Sequence, residues 1–98
     1  MIYCFDIDGT ICTKVSNADY MTAKPFLERI DYINYLYDIG HHIKLFTARG
    51  STTGIDWRLD TINQLKKWRL SYHELILGKP EADIYVDDRG IHSDSFKW

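Results

Sequence analysis

Apolar and polar positions along this 98-residue chain fall into blocks whose period changes from one to the next. Residues 2–5 are continuously apolar, the pattern of a strand buried on both faces of a parallel sheet. Residues 11–24 (ICTKVSNADYMTAK) have no clean period and read as a loop or flap. Pro25 then opens a helical pattern at a favoured first-turn position. Phe26, Ile30, Ile33 and Tyr37 recur along one stripe, which Leu27 and Leu36 widen, and Gly40 supplies the stop. HIKLFT, His42–Thr47, predicts a second strand and ARGSTTG a turn-rich loop. Ile55, Leu59, Ile62, Leu65 and Trp68 predict the inner face of a second helix over about 55–69.

ELILG (74–78) and IYVDD (84–88) read as a third and a fourth strand joined by the tight link KPEAD. The order is strand, helix, strand, helix, strand, strand. Right-handed crossovers make the first three strands parallel, with the helices packed on the sheet, an α/β fold. There are no repeats, low-complexity segments or linkers, so residues 1–98 form one domain.

Composition narrows the class. A hydrophobic content of 45%, with 14% aromatic, is that of a folded globule. The net charge is −2, and no basic run exceeds Lys66 and Lys67 with nearby Arg69, which argues against a nucleic-acid partner. No apolar stretch approaches the ~20 residues of a membrane span. The N-terminus lacks the pattern of a signal peptide, so a cytoplasmic, reduced setting is expected. Cys4 and Cys12 fit neither a disulfide framework nor a zinc site. Cys4 reads as a small core residue and Cys12 as partly exposed.

Functional groups collect where the strands end. Asp6 and Asp8 close the first strand, Thr47 the second, Lys79 lies just past the third, and Asp87 and Asp88 end the fourth. In an open parallel sheet this carboxyl edge is where ligands bind. Asp6 and Asp8 start on the same side of a strand, about 7 Å apart. At an effective dielectric of about 20, two negative charges at that separation repel by roughly 2.4 kcal/mol. Asp87 and Asp88 aggravate this, so either carboxylates take up protons or a cation sits among them. All-oxygen ligation with few carboxylates suits Mg²⁺, which favours phosphate as a further ligand. Gly9 permits a sharp turn and offers N–H groups to an anion, Thr47 a hydroxyl and Lys79 a positive charge. Such a set specifies phosphoryl chemistry.

With DIDGT at 6–10, FTAR at 46–49, GKP at 78–80 and YVDDR at 85–89 in this order, the chain resembles the haloacid dehalogenase superfamily of phosphatases. It is most similar to the small capsule biosynthesis phosphatase-like group of bacterial polysaccharide loci, with which it shares DGTICT and AKP as well. The resemblance implies a three-layer Rossmann-like core with a mostly parallel sheet of about four strands and no cap domain. It implies a Mg²⁺-dependent phosphomonoesterase acting on a small phosphorylated metabolite such as a sugar or polyol phosphate.

Residue by residue, the resemblance implies that Asp6 attacks phosphorus to form an aspartyl-phosphate, with one oxygen on the metal. Asp8 then protonates the leaving alcohol and activates the hydrolytic water, its backbone carbonyl binding the metal. Thr47 and Lys79 hold phosphoryl oxygens, while Gly9, Thr10 and Arg49 contact the substrate. Asp87 completes the metal site, and Asp88 acts through water or orients Lys79.

The residues alone leave some roles open. Arg49 and Arg89 either clamp an anionic substrate or neutralise the acidic cluster in an ion pair. His41 and His42 face opposite ways and do not suggest a metal site. Tyr20 and Trp57 lie near loops that could wall a sugar ring. A receiver-like signalling domain uses a similar residue set, but its phospho-acceptor ends a middle strand, and here the second strand ends in Thr47. A catalytically silent relative that binds phosphorylated ligands is a further alternative. The small open site calls for macromolecular substrates or for closure by homo-oligomerisation, and the tail IHSDSFKW reads as an ordered tail across the fourth strand or an interface element.

Overall fold

The computed structural model describes residues 1–98. Three parallel strands, β1 (Ile2–Asp6), β2 (His42–Thr47) and β3 (Glu74–Leu77), pair in the order β1-β2-β3. The register sets Phe5 beside Leu45 and Leu45 beside Leu75. Helix α1 (Leu27–Asp38) connects β1 to β2, and α2 (Arg58–Lys67) connects β2 to β3. Successive right-handed crossovers in one direction put both helices on the same side of the sheet. Accordingly Phe5, Ile43 and Leu45 share one buried cluster with Ile30, Ile33 and Leu36 of α1 and Leu65 of α2.

The other face stays open, which corrects three expectations. The sheet is three-stranded and covered on one side, and β1 is not buried on both faces, since Ile2 is 68% exposed. Cys4 shares that open face and is exposed, whereas Cys12 is fully buried. Burial, with Asp8 nearby, pushes the Cys12 thiol up to about 12. On the open face Glu74 accepts from His42 at 2.6 Å and lies 3.7 Å from Lys44, a polar row that tolerates water.

The first helix starts two residues later than expected. Pro25 is held in an antiparallel bridge with Cys12, so it belongs to the end of the preceding loop, and Phe26 is the N-cap. Leu27 is largely exposed, while Ile30, Ile33 and Leu36 are buried. Both helices end alike. Gly40 N–H donates to Tyr37 O and His41 N–H to Leu36 O; Arg69 N–H donates to Lys66 O and Leu70 N–H to Leu65 O. These are two Schellman motifs, with φ +100° at Gly40 and +58° at Arg69.

The inner face of α2 differs from the expectation. Ile55 and Leu59 are exposed, and the buried positions are Thr61, Gln64 and Leu65. A polar pair lies inward because a buried guanidinium, described below, requires acceptors there. The segment 84–88 is not a strand, and Ile84, Tyr85 and Val86 are exposed. The link instead folds on itself. The Tyr85 hydroxyl donates to Pro80 O and accepts from Ala82 N–H, and the Asp87 carboxylate accepts from the N–H groups of Arg89 and Gly90.

The C-terminal tail turns back over β1. Phe96 and Trp98 pack against Phe5, with ring centroids 5.9 and 5.5 Å away, and against Tyr32 of α1. The tail is thus ordered, but as a strap over β1 and the core and not across a fourth strand. No helix is long and apolar enough to cross a membrane.

Candidate active site

The loop after β1 explains how two nearby carboxylates are held outward. Ile7 and Ile11 are fully buried and anchor it. The Ile7 carbonyl accepts from Thr10, Ile11 and Cys12 N–H at 3.1, 2.8 and 3.3 Å, coiling the backbone around one oxygen. Gly9 adopts φ +82° there, and a Cβ would stand 2.7 Å from Lys14 Cε. With Ile7 turned into the core, the Asp6 and Asp8 side chains stay partly exposed, at 33% and 23%.

The strand ends do meet. Lys79 Nζ lies 3.5 Å from Asp6 Oδ1, and Lys79 N–H donates to Thr47 O at 3.1 Å, continuing the pairing beyond β3. The Asp6 side chain is one-third exposed. Burial raises its carboxyl above the usual carboxylate range, opposed first by the Lys79 charge and then by the Ile7 N–H. A carboxyl whose ionisation burial opposes and that still faces solvent at a strand edge is a candidate functional group. Lys79 Nζ also stands 4.5 Å over the Tyr85 ring.

Arg49 does not face a ligand. Its side chain is fully buried, and Nε and Nη2 each donate to one Asp8 oxygen at 2.9 Å. Nη1 donates to Thr61 Oγ1 and Gln64 Oε1 at 3.1 and 2.8 Å, and the Tyr20 ring covers the guanidinium at 4.6 Å. Of the two roles open from sequence, substrate clamp or ion pair, the structure has the ion pair. Thr61 and Gln64 went unnoticed in the sequence; their only signal is a polar i, i+3 pair set into an apolar stripe.

Other expected contacts are differently engaged. Thr47 is 1% exposed, and its hydroxyl oxygen accepts the Arg49 N–H at 3.1 Å, shaping the turn after β2. Gly9 N–H donates to Cys12 O at 2.8 Å, so it is not open to an anion. Thr10 O accepts from Arg29 Nη1 at 3.1 Å. Tyr20 stands edge-on to Trp57 at 4.9 Å and walls a cleft beside the strand edge.

The four-carboxylate cluster is not assembled. Asp87 and Asp88 lie in the exposed 84–88 segment, and no three His, Cys, Asp or Glu side chains converge to hold a metal. Hydrogen bonds from the backbone of Arg89 and Gly90 hold the Asp87 carboxyl below its usual range. Arg89 is exposed and lies 3.8 Å from Asp88.

No family model matches the chain, and no curated protein matches it. Among solved structures it is similar to a crystal structure of an MCSG target from Vibrio cholerae. The two share 26% identity over 95% of this chain and 84% of that one, with a TM-score of 0.83. It is also similar to a chain in the structure of a Pnkp1/Rnl/Hen1 complex, with 18% identity and a TM-score of 0.62. That match covers 89% of this chain but spans 30% of the other, and it concerns the fold alone. The shared architecture is a small α/β fold with a parallel sheet.

Proposed function

We propose that this chain is a phosphoric monoester hydrolase of the haloacid dehalogenase type, with Asp6 as nucleophile and a small phosphorylated metabolite, a sugar or polyol phosphate of bacterial polysaccharide assembly, as substrate. The observation that carries the reading is the Asp6–Lys79 pair. It sets a partly exposed carboxylate and a fixed cation 3.5 Å apart at the carboxyl edge of a parallel sheet. Asp6 attacks phosphorus, the bond to the leaving alcohol breaks, and water then releases phosphate and restores the carboxylate. Lys79 holds an equatorial phosphoryl oxygen, where fixed positive charge helps a loose transition state most. Asp8 gives the leaving alcohol its proton and regains one from the hydrolytic water, through a carboxylate lone pair that Arg49 does not engage.

Mg²⁺ is the proposed cofactor, and when bound it would neutralise charge developing on the phosphoryl group. Asp6 offers one carboxylate oxygen, consistent with a metal that takes one or two carboxylates and completes its shell with phosphate and water. A second carboxylate requires the 84–88 segment to move. β1 is paired on one side only, and its free edge suits docking of 84–88 as a fourth strand, which would bring Asp87 toward Asp6. The four-stranded sheet belongs to this same proposal.

Release of p-nitrophenol from p-nitrophenyl phosphate with Mg²⁺, abolished in Asp6→Asn, is the expected result. Turnover retained in Asp6→Asn, or none in the wild type, would overturn it. The separation of Asp87 from the site favours a second reading, a silent relative that binds phosphorylated ligands without hydrolysing them. Saturable phosphate-ester binding without turnover would select it.

A further inference from the structure

A cleft of about 210 Å³ opens among the loops that follow β1, β2 and β3. Ala48 and Gly50, which flank Arg49, line it together with Ala18, Tyr20, Thr52 and Glu81. It is continuous in the chain with both halves of the site. Arg49 fixes Asp8, and Glu81 follows two residues after Lys79, which fixes Asp6. Ser51 Oγ donates to Lys79 O at 2.7 Å, tying the loop of Thr52 to that of Glu81.

The charges around the cleft are unequal. Arg49 is committed to Asp8 and Lys79 to Asp6, and no Lys or Arg lines the cavity. Glu81 makes no ion pair and lines the cleft together with Tyr20. A free carboxylate and an aromatic ring lining one cleft, together with the hydroxyls of Thr52 and Thr53, form a recognition set for ammonium. The small residues Ala18, Ala48 and Gly50 leave room for a short polyol or one sugar ring.

We infer that this cleft receives the alcohol half of the ester and selects an alcohol that carries a protonated amine, with Glu81 and Tyr20 as the specificity residues. The inference rests on the hydrolase reading for the word ester, but not for the amine preference. A sugar acid would bring negative charge against Glu81 and is disfavoured.

Glucosamine 6-phosphate, glucose 6-phosphate and N-acetylglucosamine 6-phosphate test it, with kcat/KM and calorimetric Kd measured at pH 7 in low salt. The amine ester is expected to exceed the other two by about fivefold, the reach of one exposed carboxylate with an aromatic face. Glu81→Gln should bring the ratio near one, and 0.5 M NaCl should shrink it. Because the readout is a ratio within one variant, a partial loss of folded protein does not change it. Turnover of all three at equal efficiency would overturn the cleft assignment and leave the hydrolase standing. Amine-selective, Glu81-dependent binding without turnover would support the cleft and sink the hydrolase. Binding of none, or a preference unchanged in Glu81→Gln, would overturn the inference.

Discussion

Arg49 grips Asp8 through two parallel hydrogen bonds of 2.9 Å while its own side chain is wholly buried. The remaining nitrogen is satisfied by Thr61 and Gln64, and no buried side-chain N or O is left unpaired. The fork holds the loop after β1 to the loop after β2 and to α2 in one contact. Removing one partner of such a pair strands the other in low dielectric.

Arg49→Ala is therefore expected to cost about 3–5 kcal/mol, because it orphans Asp8, Thr61 and Gln64 together. Arg49→Lys keeps the charge but not the planar fork, and should recover less than half of that. Urea unfolding followed by circular dichroism measures both. A loss below about 1 kcal/mol in the alanine variant would show that the pair contributes nothing net.

Asp6 predicts the opposite sign. Its folded carboxyl titrates above the unfolded one, chiefly through burial. The native state therefore binds more protons between the usual carboxylate range and the raised value, and stability falls as pH rises through that window. Above it the full penalty applies. Asp6→Asn should melt at the same temperature as wild type or higher at pH 7, with the gap closing as pH falls below the window. A variant less stable at pH 7 would mean that the Lys79 pairing outweighs burial.

Backbone strain gives a third test. Gly40 and Arg69 occupy equivalent positions in their Schellman motifs, yet only one is glycine. A non-glycine residue in the left-handed region costs about 1–2 kcal/mol, partly offset by the greater freedom of glycine in the unfolded chain. Arg69→Gly should raise stability by about 0.5–1 kcal/mol and Gly40→Ala lower it by about 1 kcal/mol. Thermal melts that move in the same direction for both would refute the equivalence.

Much of this architecture was legible where one local rule acted alone. The strand His42–Thr47 and the stop at Gly40 stand where alternation and a C-cap glycine put them. Legibility failed where a distant partner decides. The inner face of α2 was assigned to Ile55 and Leu59, because apolar spacing cannot reveal that Arg49 needs Thr61 and Gln64. Cys4 is exposed because an apolar run does not say whether both sheet faces are covered, and Cys12 is buried because the loop after β1 coils around the Ile7 carbonyl. At the site, Asp6 and Lys79 met as their strand ends implied, while Asp87 did not join them. A strand at 84–88 needs a neighbouring edge to complete its hydrogen bonds, and the segment instead satisfies itself through Tyr85 and Asp87.

The C-terminal strap makes the last prediction. Trp98 Nε1 donates to Ser93 O at 2.9 Å, and Ser93 Oγ donates to Gly9 O at 3.3 Å. Arg29 lies between the Phe26 and Trp98 rings, donating to Thr10 O and to Asp94. The tail thus braces the carbonyls of Gly9 and Thr10, directly after the carboxylate pair, while its rings cover Phe5. Trp98→Ala should cost about 2–4 kcal/mol, below the full-burial range because the ring keeps some exposure. Amide exchange at residues 9–12 should quicken by more than global destabilisation explains. Ile2→Ala on the open face supplies the comparison, with little expected change in either measurement. If exchange at 9–12 tracks global stability alone in Trp98→Ala, the strap is only a core cover and does not steady the loop that carries Asp8.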